Sequence, residues 1–300
     1  MKKTVLILTS DPDSINYEII KKTLFFFKKK NKKNKYLFVG DVSKVFSYLN
    51  LKKFDLDYLD IKGSESNKKK YLKDCCEAAF DILKKKKAHG IINLPLDKKF
   101  LPNYYPGFTE YISNAFNSLG KETMLLYNEK FSVCPNTTHI PLSEVSKKLS
   151  KKTIQNNIFN INKFYKNIIG IRKPKLAITG LNPHNGMDFK KKLEEEKIII
   201  PSIINIKKEV NIIGPLSPDS AFGEIEVKKI NCLLGNYHDQ VLPTFKYINK
   251  FNAINITLGL PFLRISPDHG TAKNIKNLNR ANHQSFLYAL NFFEKFYKKI

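Results

Sequence analysis

Arginine is almost missing from this chain. Of 52 basic residues, only Arg172, Arg264 and Arg280 are arginines, so lysine carries the formal net charge of +25. A charge of that size would ordinarily suggest nucleic acid. Nucleic-acid readers, however, rely on the arginine fork for bidentate contacts to bases and phosphates. Lysine, asparagine and isoleucine are abundant throughout, as a compositional bias of the genome would produce, and no specific nucleic-acid partner is expected. The runs at Lys28–Lys30, Lys84–Lys87 and Lys190–Lys192 read as solvated faces and helix ends. Cysteine is scarce as well. Cys75, Cys76, Cys134 and Cys232 form no C-x-x-C pair, which argues against a cysteine zinc site and a disulfide framework and fits a reducing compartment. No apolar run approaches the length of a membrane span. The first such run, Val5–Leu8, is too short for a signal-peptide core and meets Asp11-Pro12-Asp13 at once. A soluble, cytoplasmic protein is expected. Long linkers and internal repeats are also absent.

What is present is alternation. Hydrophobic residues make up 42% of the 300 and are spread along the chain, enough for one large domain or two. Val5–Leu8, Tyr36–Val39, Ile91–Leu94, Lys175–Thr179, Ile230–Leu234 and Ala253–Leu258 read as strands. Ile15–Phe27, Tyr71–Leu83 and Ser285–Tyr297 carry apolar residues at helical spacing. Strands alternating with helices predict an α/β fold with a largely parallel sheet.

Three of the six histidines share one local pattern. Phe131-Ser132-Val133-Cys134 leads through a polar turn to His139. Leu176-Ala177-Ile178-Thr179 leads through Gly180-Leu181-Asn182-Pro183 to His184. Cys232-Leu233-Leu234 leads through Gly235-Asn236-Tyr237 to His238. Ligands of open α/β sheets bind at the carboxyl ends of strands, and neutral imidazole binds divalent transition metals. Three imidazoles with open positions would make a catalytic metal site. His89, between a lysine run and a strand, is expected to be plain surface, and His283 to be structural.

Close behind His238 come Lys246, Asn255 and Arg264. A guanidinium fork, an ammonium and an amide near strand ends suit a phosphate dianion, and a retained arginine in a lysine-rich chain marks a place where geometry matters. The turn Asp268-His269-Gly270-Thr271-Ala272 has small residues that would let backbone N–H groups approach a ligand.

Six blocks together resemble the 4-hydroxythreonine-4-phosphate dehydrogenase family: Thr138–Leu142, Gly180–His184, Gly214–Ser220, Tyr237–Gln240, Asn255–Arg264 and Asp268–Ala272. The resemblance runs from about Ile91 onward and is weaker before it. It implies an isocitrate/isopropylmalate-dehydrogenase-like fold, with two α/β domains flanking an active-site cleft. Residues 1–108 plus 244–300 would form one domain, with the cofactor loop. Residues 109–243 would form the other, with the metal site and the interface of a homodimer that shares that site. By resemblance His139, His184 and His238 are metal ligands for zinc, magnesium, cobalt or manganese. Thr109, Asp219, Lys246, Asn255 and Arg264 match substrate-binding positions. Lys98 looks like the lysine of another family motif, and His269, Gly270, Thr271 and Ala272 are similar to an adenosine-binding loop for NAD, with NADP an alternative. The implied reaction oxidises a phosphorylated secondary alcohol, and the 3-oxo acid then loses carbon dioxide. Lys246 or Asp239 could relay the proton. Two departures stand out. The family's G-D-P-A-G-I-G-P-E segment reads Ser10-Asp11-Pro12-Asp13-Ser14-Ile15-Asn16-Tyr17-Glu18, placing side chains where backbone could approach a ligand, and a G-H-T-E motif reads Gly107-Phe108-Thr109-Glu110. Two alternatives follow: a related dehydrogenase of another phosphorylated hydroxy acid such as 4-phosphoerythronate, or a non-catalytic module that binds metal and phosphate.

Overall fold

A computed structural model describes residues 2–49, 56–63, 67–101 and 105–300. Two compact units emerge, and the chain passes between them more than once. The first comprises Met1–Leu119, Phe251–Ile256 and Leu260–Ile300, the second Gly120–Lys250 and Thr257–Gly259. Thr109 lies in the first unit.

The first unit contains β1 (Lys3–Leu8), β2 (Asn34–Gly40), β3 (Asp57–Asp60) and β4 (Gly90–Asn93). The second holds β5 (Thr123–Tyr127), β6 (Ser132–Pro135), β7 (Leu176–Thr179), β8 (Ile212–Leu216) and β9 (Cys232–Gly235). Strand β10 (Ile254–Leu258) begins in the first unit and ends in the second; β11 (Leu263–Pro267) returns to the first.

In the first unit the strands lie in the order β3-β2-β1-β4-β11-β10. Strand β1 pairs in parallel with β2 and β4, and β4 with β11. Val5–Leu8 are fully buried, as expected of a strand covered on both faces. The helix Lys68–Lys84 starts where Asn67 accepts a hydrogen bond from the Lys70 N–H. It buries Leu72, Cys75, Cys76, Ala79, Phe80 and Leu83 at spacings of three and four, against Leu6, Leu8 and Ile91. Each large apolar side chain so buried contributes about 1.5–3 kcal/mol.

The second unit runs β5-β6-β9-β7-β8. Strands β6, β9, β7 and β8 are parallel, and β5 is antiparallel to β6. Because β6, β9 and β7 point the same way, with Cys134 and Ile178 both level with Leu234, the turns after them leave one edge of the sheet.

Two sequence expectations need correction. The helix read over Ile15–Phe27 breaks into Asn16–Lys22 and Leu24–Lys28. The Thr23 hydroxyl donates to the carbonyls of Ile19 and Ile20, both at 2.9 Å, a bonding mode that bends helices. His89 is not plain surface. After Lys86 takes a left-handed conformation, the chain folds back. The His89 N–H then donates to the Thr4 carbonyl at 3.1 Å. Its Nε2 is buried without a hydrogen-bond partner. Burial, aided by the charge of Lys3, lowers its pKa to about 4. A histidine kept neutral in this way contributes stability above its unfolded value near 6.5, and that contribution drains as pH falls toward 4. Urea denaturation of a His89→Gln variant is expected to show a flatter fall in stability over that window than the parent chain.

Among the described residues no helix is long and apolar enough to cross a membrane.

Candidate active site

The second unit brings two of the three expected imidazoles together. His139, four residues beyond β6, and His238, at the start of the helix His238–Asn249, face each other with ring centroids 5.8 Å apart. Each belongs to a turn leaving the same sheet edge. His184 leaves that edge from β7. Among the described residues no three His, Cys, Asp or Glu side chains are grouped to hold one ion, so His184 is not clustered with the other two.

Local backbone sets His184 apart. Both His184 and Asn185 have left-handed dihedrals (φ 48° and 58°), uncommon for residues with a Cβ and concentrated at functional turns. The turn is held by Glu195, which is 2% exposed. Its carboxylate accepts the N–H groups of Leu181 and Asn182, each at 2.8 Å. An added Cβ at Gly180 would lie 2.4 Å from the Asn185 side-chain oxygen, so that side chain would have to shift. Sequence reading missed Glu195, one of three consecutive glutamates that look alike until the chain is folded.

Carboxylates hold two of the rings. His238 Nδ1 lies 2.6 Å from Asp239 Oδ1, and His184 Nδ1 lies 2.6 Å from Asp188 Oδ2. A carboxylate on Nδ1 leaves Nε2 as the lone-pair donor, the usual arrangement of metal-binding histidines. This donor chemistry fits a divalent ion. Asp219 is fully exposed, and its carboxyl is lowered first by the Ser217 hydroxyl at 2.6 Å. Lys246 lies exposed on the helix that begins at His238.

Of the phosphate candidates, Arg264 and Asn255 lie in the first unit and Lys246 in the second. Arg264, on β11, is 3% exposed. Its Nε donates to Asn93 Oδ1 at 2.6 Å and its Nη1 to Thr109 Oγ1 at 3.2 Å. Phe108 covers the guanidinium, 5.4 Å from ring centroid to Cζ, and packs against Phe80 and Tyr111. Burial lowers the Arg264 pKa to about 10, opposed by the charge of Glu110, and leaves it a full cation at neutral pH. Arg264 and Thr109, expected at one substrate, are in direct contact. Asn255, on β10, has a buried side-chain oxygen without a hydrogen-bond partner. Lys98 is exposed in a short helical turn.

The altered loop after β1 spends its new side chains on itself. Ser14 Oγ donates to the Asp11 carbonyl at 2.7 Å, and Asn16 Nδ2 donates to the carbonyls of Asp11 and Pro95. Both residues are buried, and Ser14 still borders the open space beside the loop. Asp11 accepts the N–H groups of Asp13 and Asp97. Burial pushes its carboxyl above the usual range, and those N–H bonds together with Lys273 pull against the rise.

The Ile15 N–H donates to the Thr271 carbonyl at 3.1 Å, joining this loop to His269–Ala272. An added Cβ at Gly270 would meet nothing within 4 Å. Ala272 is left-handed and opens the turn Lys273–Ile275, while His269 Nδ1 lies 3.1 Å from the Gly270 carbonyl. Beside these loops is a cavity of about 510 Å³ bordered by Pro12, Ser14, Ile15, Tyr17, Tyr48 and Lys276. The Tyr17 hydroxyl is buried without a hydrogen-bond partner.

The family described as pyridoxal phosphate biosynthetic protein PdxA matches residues 3–293. The chain belongs to the PdxA family. A 4-hydroxythreonine-4-phosphate dehydrogenase of Aquifex aeolicus is 33% identical over the full length of both chains. The solved 4-hydroxythreonine-4-phosphate dehydrogenase of Klebsiella pneumoniae superposes with a TM-score of 0.81 at 26% identity, covering 97% of this chain and 98% of that one. The fold alone is shared with isocitrate dehydrogenase of Methylococcus capsulatus (TM-score 0.54, 9% identity, 98% and 85% covered). The PdxA chain therefore has the expected isocitrate-dehydrogenase-like α/β fold and sits in a family of dehydrogenases.

Proposed function

We propose that this PdxA chain oxidises 4-(phosphooxy)-L-threonine with NAD to the 3-oxo acid, which loses carbon dioxide to give 3-amino-2-oxopropyl phosphate on the route to pyridoxal phosphate. The observation that carries the reading is the facing pair His139 and His238, with Asp239 on the Nδ1 of His238. His139, His184 and His238 would hold a divalent ion (zinc, magnesium, cobalt or manganese), with His184 completing the set in a homodimer. Bound there, the ion would lower the pKa of the substrate alcohol and polarise the carbonyl that follows, while NAD supplies the hydride acceptor.

The chain's own residues have separable tasks. Arg264 offers a preset cationic plane for the phosphate, because Asn93, Thr109 and the Phe108 ring remove its freedom before substrate arrives. Asn255, Asp219 and Thr109 would bind the remaining polar groups. Asp239 is engaged with His238, which supports Lys246 Nζ over Asp239 as the proton relay. His269–Ala272 and the adjoining cavity would take the adenosine half of NAD or NADP. The chain would act in the cytoplasm.

Phe108 favours one competing substrate. An apolar ring where the family has a histidine withdraws a polar partner, and a buried polar group left unpaired costs about 1–3 kcal/mol. Another phosphorylated hydroxy acid, such as 4-phosphoerythronate, could fit better. The deciding assay offers both substrates with NAD or NADP, with and without a divalent metal. Turnover of 4-(phosphooxy)-L-threonine that exceeds the alternative tenfold in kcat/KM, and stops on chelation, is expected. Faster turnover of the other acid would replace the substrate. Metal binding without any dinucleotide binding at millimolar concentration would leave a non-catalytic module.

A further inference from the structure

Asn236 is completely buried at the end of β9, two residues before His238, and no part of the reaction scheme uses it. Its side chain joins two other strand ends. Oδ1 accepts from Asn136 Nδ2 at 3.2 Å, and Nδ2 donates to the Thr179 carbonyl at 2.9 Å. Its backbone joins them again. The carbonyl accepts from the Thr137 hydroxyl at 2.7 Å and from the Thr137 N–H at 3.2 Å. The Asn236 N–H donates to Gln240 Oε1 at 2.6 Å, and Gln240 returns Nε2 to the Gly180 carbonyl at 2.8 Å. Asn136 and Thr137 open the turn to His139, while Thr179 and Gly180 open the turn to His184.

The chemistry at this hub demands an amide. One face must accept from an N–H₂ and the other must donate to a carbonyl, at a side-chain length that spans two strand gaps. A carboxylate would set like partial charges against the Thr179 oxygen. An apolar side chain would strand both partners in the interior. Asn157 fixes the polarity of the network, donating Nδ2 to Asn136 Oδ1 at 3.1 Å while accepting the Thr123 hydroxyl at 2.7 Å.

We infer that Asn236 is a positioning residue: it ties the ends of β6, β7 and β9 so that the His139 and His238 rings lie side by side, 5.8 Å between centroids. This rests on the metal reading above. The test titrates Co²⁺ alone into the purified chain and follows the visible absorption of histidine-bound cobalt. Four proteins are compared: the unaltered chain, Asn236→Leu, the near-isosteric Asn236→Asp, and Ile158→Ala, a buried change in the same unit outside the network. Melting temperatures are recorded for all. Weakening of Co²⁺ binding by about 10–100-fold in Asn236→Leu is expected, as for other groups that support metal ligands, with a smaller loss in Asn236→Asp. Ile158→Ala should bind as the unaltered chain does, even where its melting temperature falls as far. If Asn236→Leu does not fold, Asn236→Asp carries the comparison. Undiminished binding in a folded Asn236 variant overturns the positioning role and leaves the metal reading standing. Equal weakening in Ile158→Ala also overturns that role, because general destabilisation would then explain the loss. No binding by the unaltered chain overturns both.

Discussion

Replacing Arg264 with lysine is expected to lower kcat/KM for the phosphorylated substrate by about 10²–10⁴-fold and to lower the melting temperature as well. The guanidinium is fixed by two side-chain bonds, to Asn93 and Thr109, and by the Phe108 ring. Charge-assisted bonds contribute roughly 1.5–3 kcal/mol each, and every 1.36 kcal/mol is about tenfold in rate. Lysine keeps the charge but has no Nε, so it cannot engage Asn93 and still present a planar face to a phosphate. The buried Asn93 oxygen would lose its donor, which accounts for the expected stability loss. Steady-state kinetics beside a thermal melt would check both. Unchanged kcat/KM in a folded Arg264→Lys variant would remove Arg264 from substrate binding.

His238→Ala should reduce turnover by about three orders of magnitude, some 4 kcal/mol of barrier, while leaving the circular dichroism spectrum and melting temperature close to those of the parent. The asymmetry follows from exposure: the His238 side chain is 39% exposed, so its loss opens no core cavity. What would go is one member of the facing pair and the partner of Asp239. A turnover assay at saturating substrate and metal tests this. Retention of more than about a tenth of the parent rate would count against a site built on His139 and His238.

Much of this was legible in the linear sequence, and the reason is local. The helices Lys68–Lys84 and Gln284–Phe296 announce themselves because burial on one face imposes a period on neighbouring residues, and strand β1 because burial on both faces makes it a short continuous apolar run. The strand–turn–histidine pattern was visible for the same reason: a parallel strand must end in a polar turn, and His139, His184 and His238 each stand just beyond one. The rarity of arginine drew attention to Arg264. Other features gave no local signal. His89 looked like surface because a lysine run precedes it, and only the return of the chain onto β1 buries its Nε2. The lost glycines after β1 suggested a crowded loop, yet Ser14 and Asn16 turn inward to carbonyls, one of them on Pro95, far along the chain.

The sequence by itself determined which segments become strands and helices, which residues end those strands, and which family the chain resembles, because periodicity, turn chemistry and motifs are written in consecutive residues. Tertiary structure alone decided that Arg264 meets Asn93 and Thr109, that Glu195 and Glu194 hold the His184 turn through Leu181 and Asn182, and that Asn236 ties three strand ends. Hydrogen bonds act over about 3 Å, and groups separated by tens or hundreds of positions come within that distance only after the sheet has set its strand order.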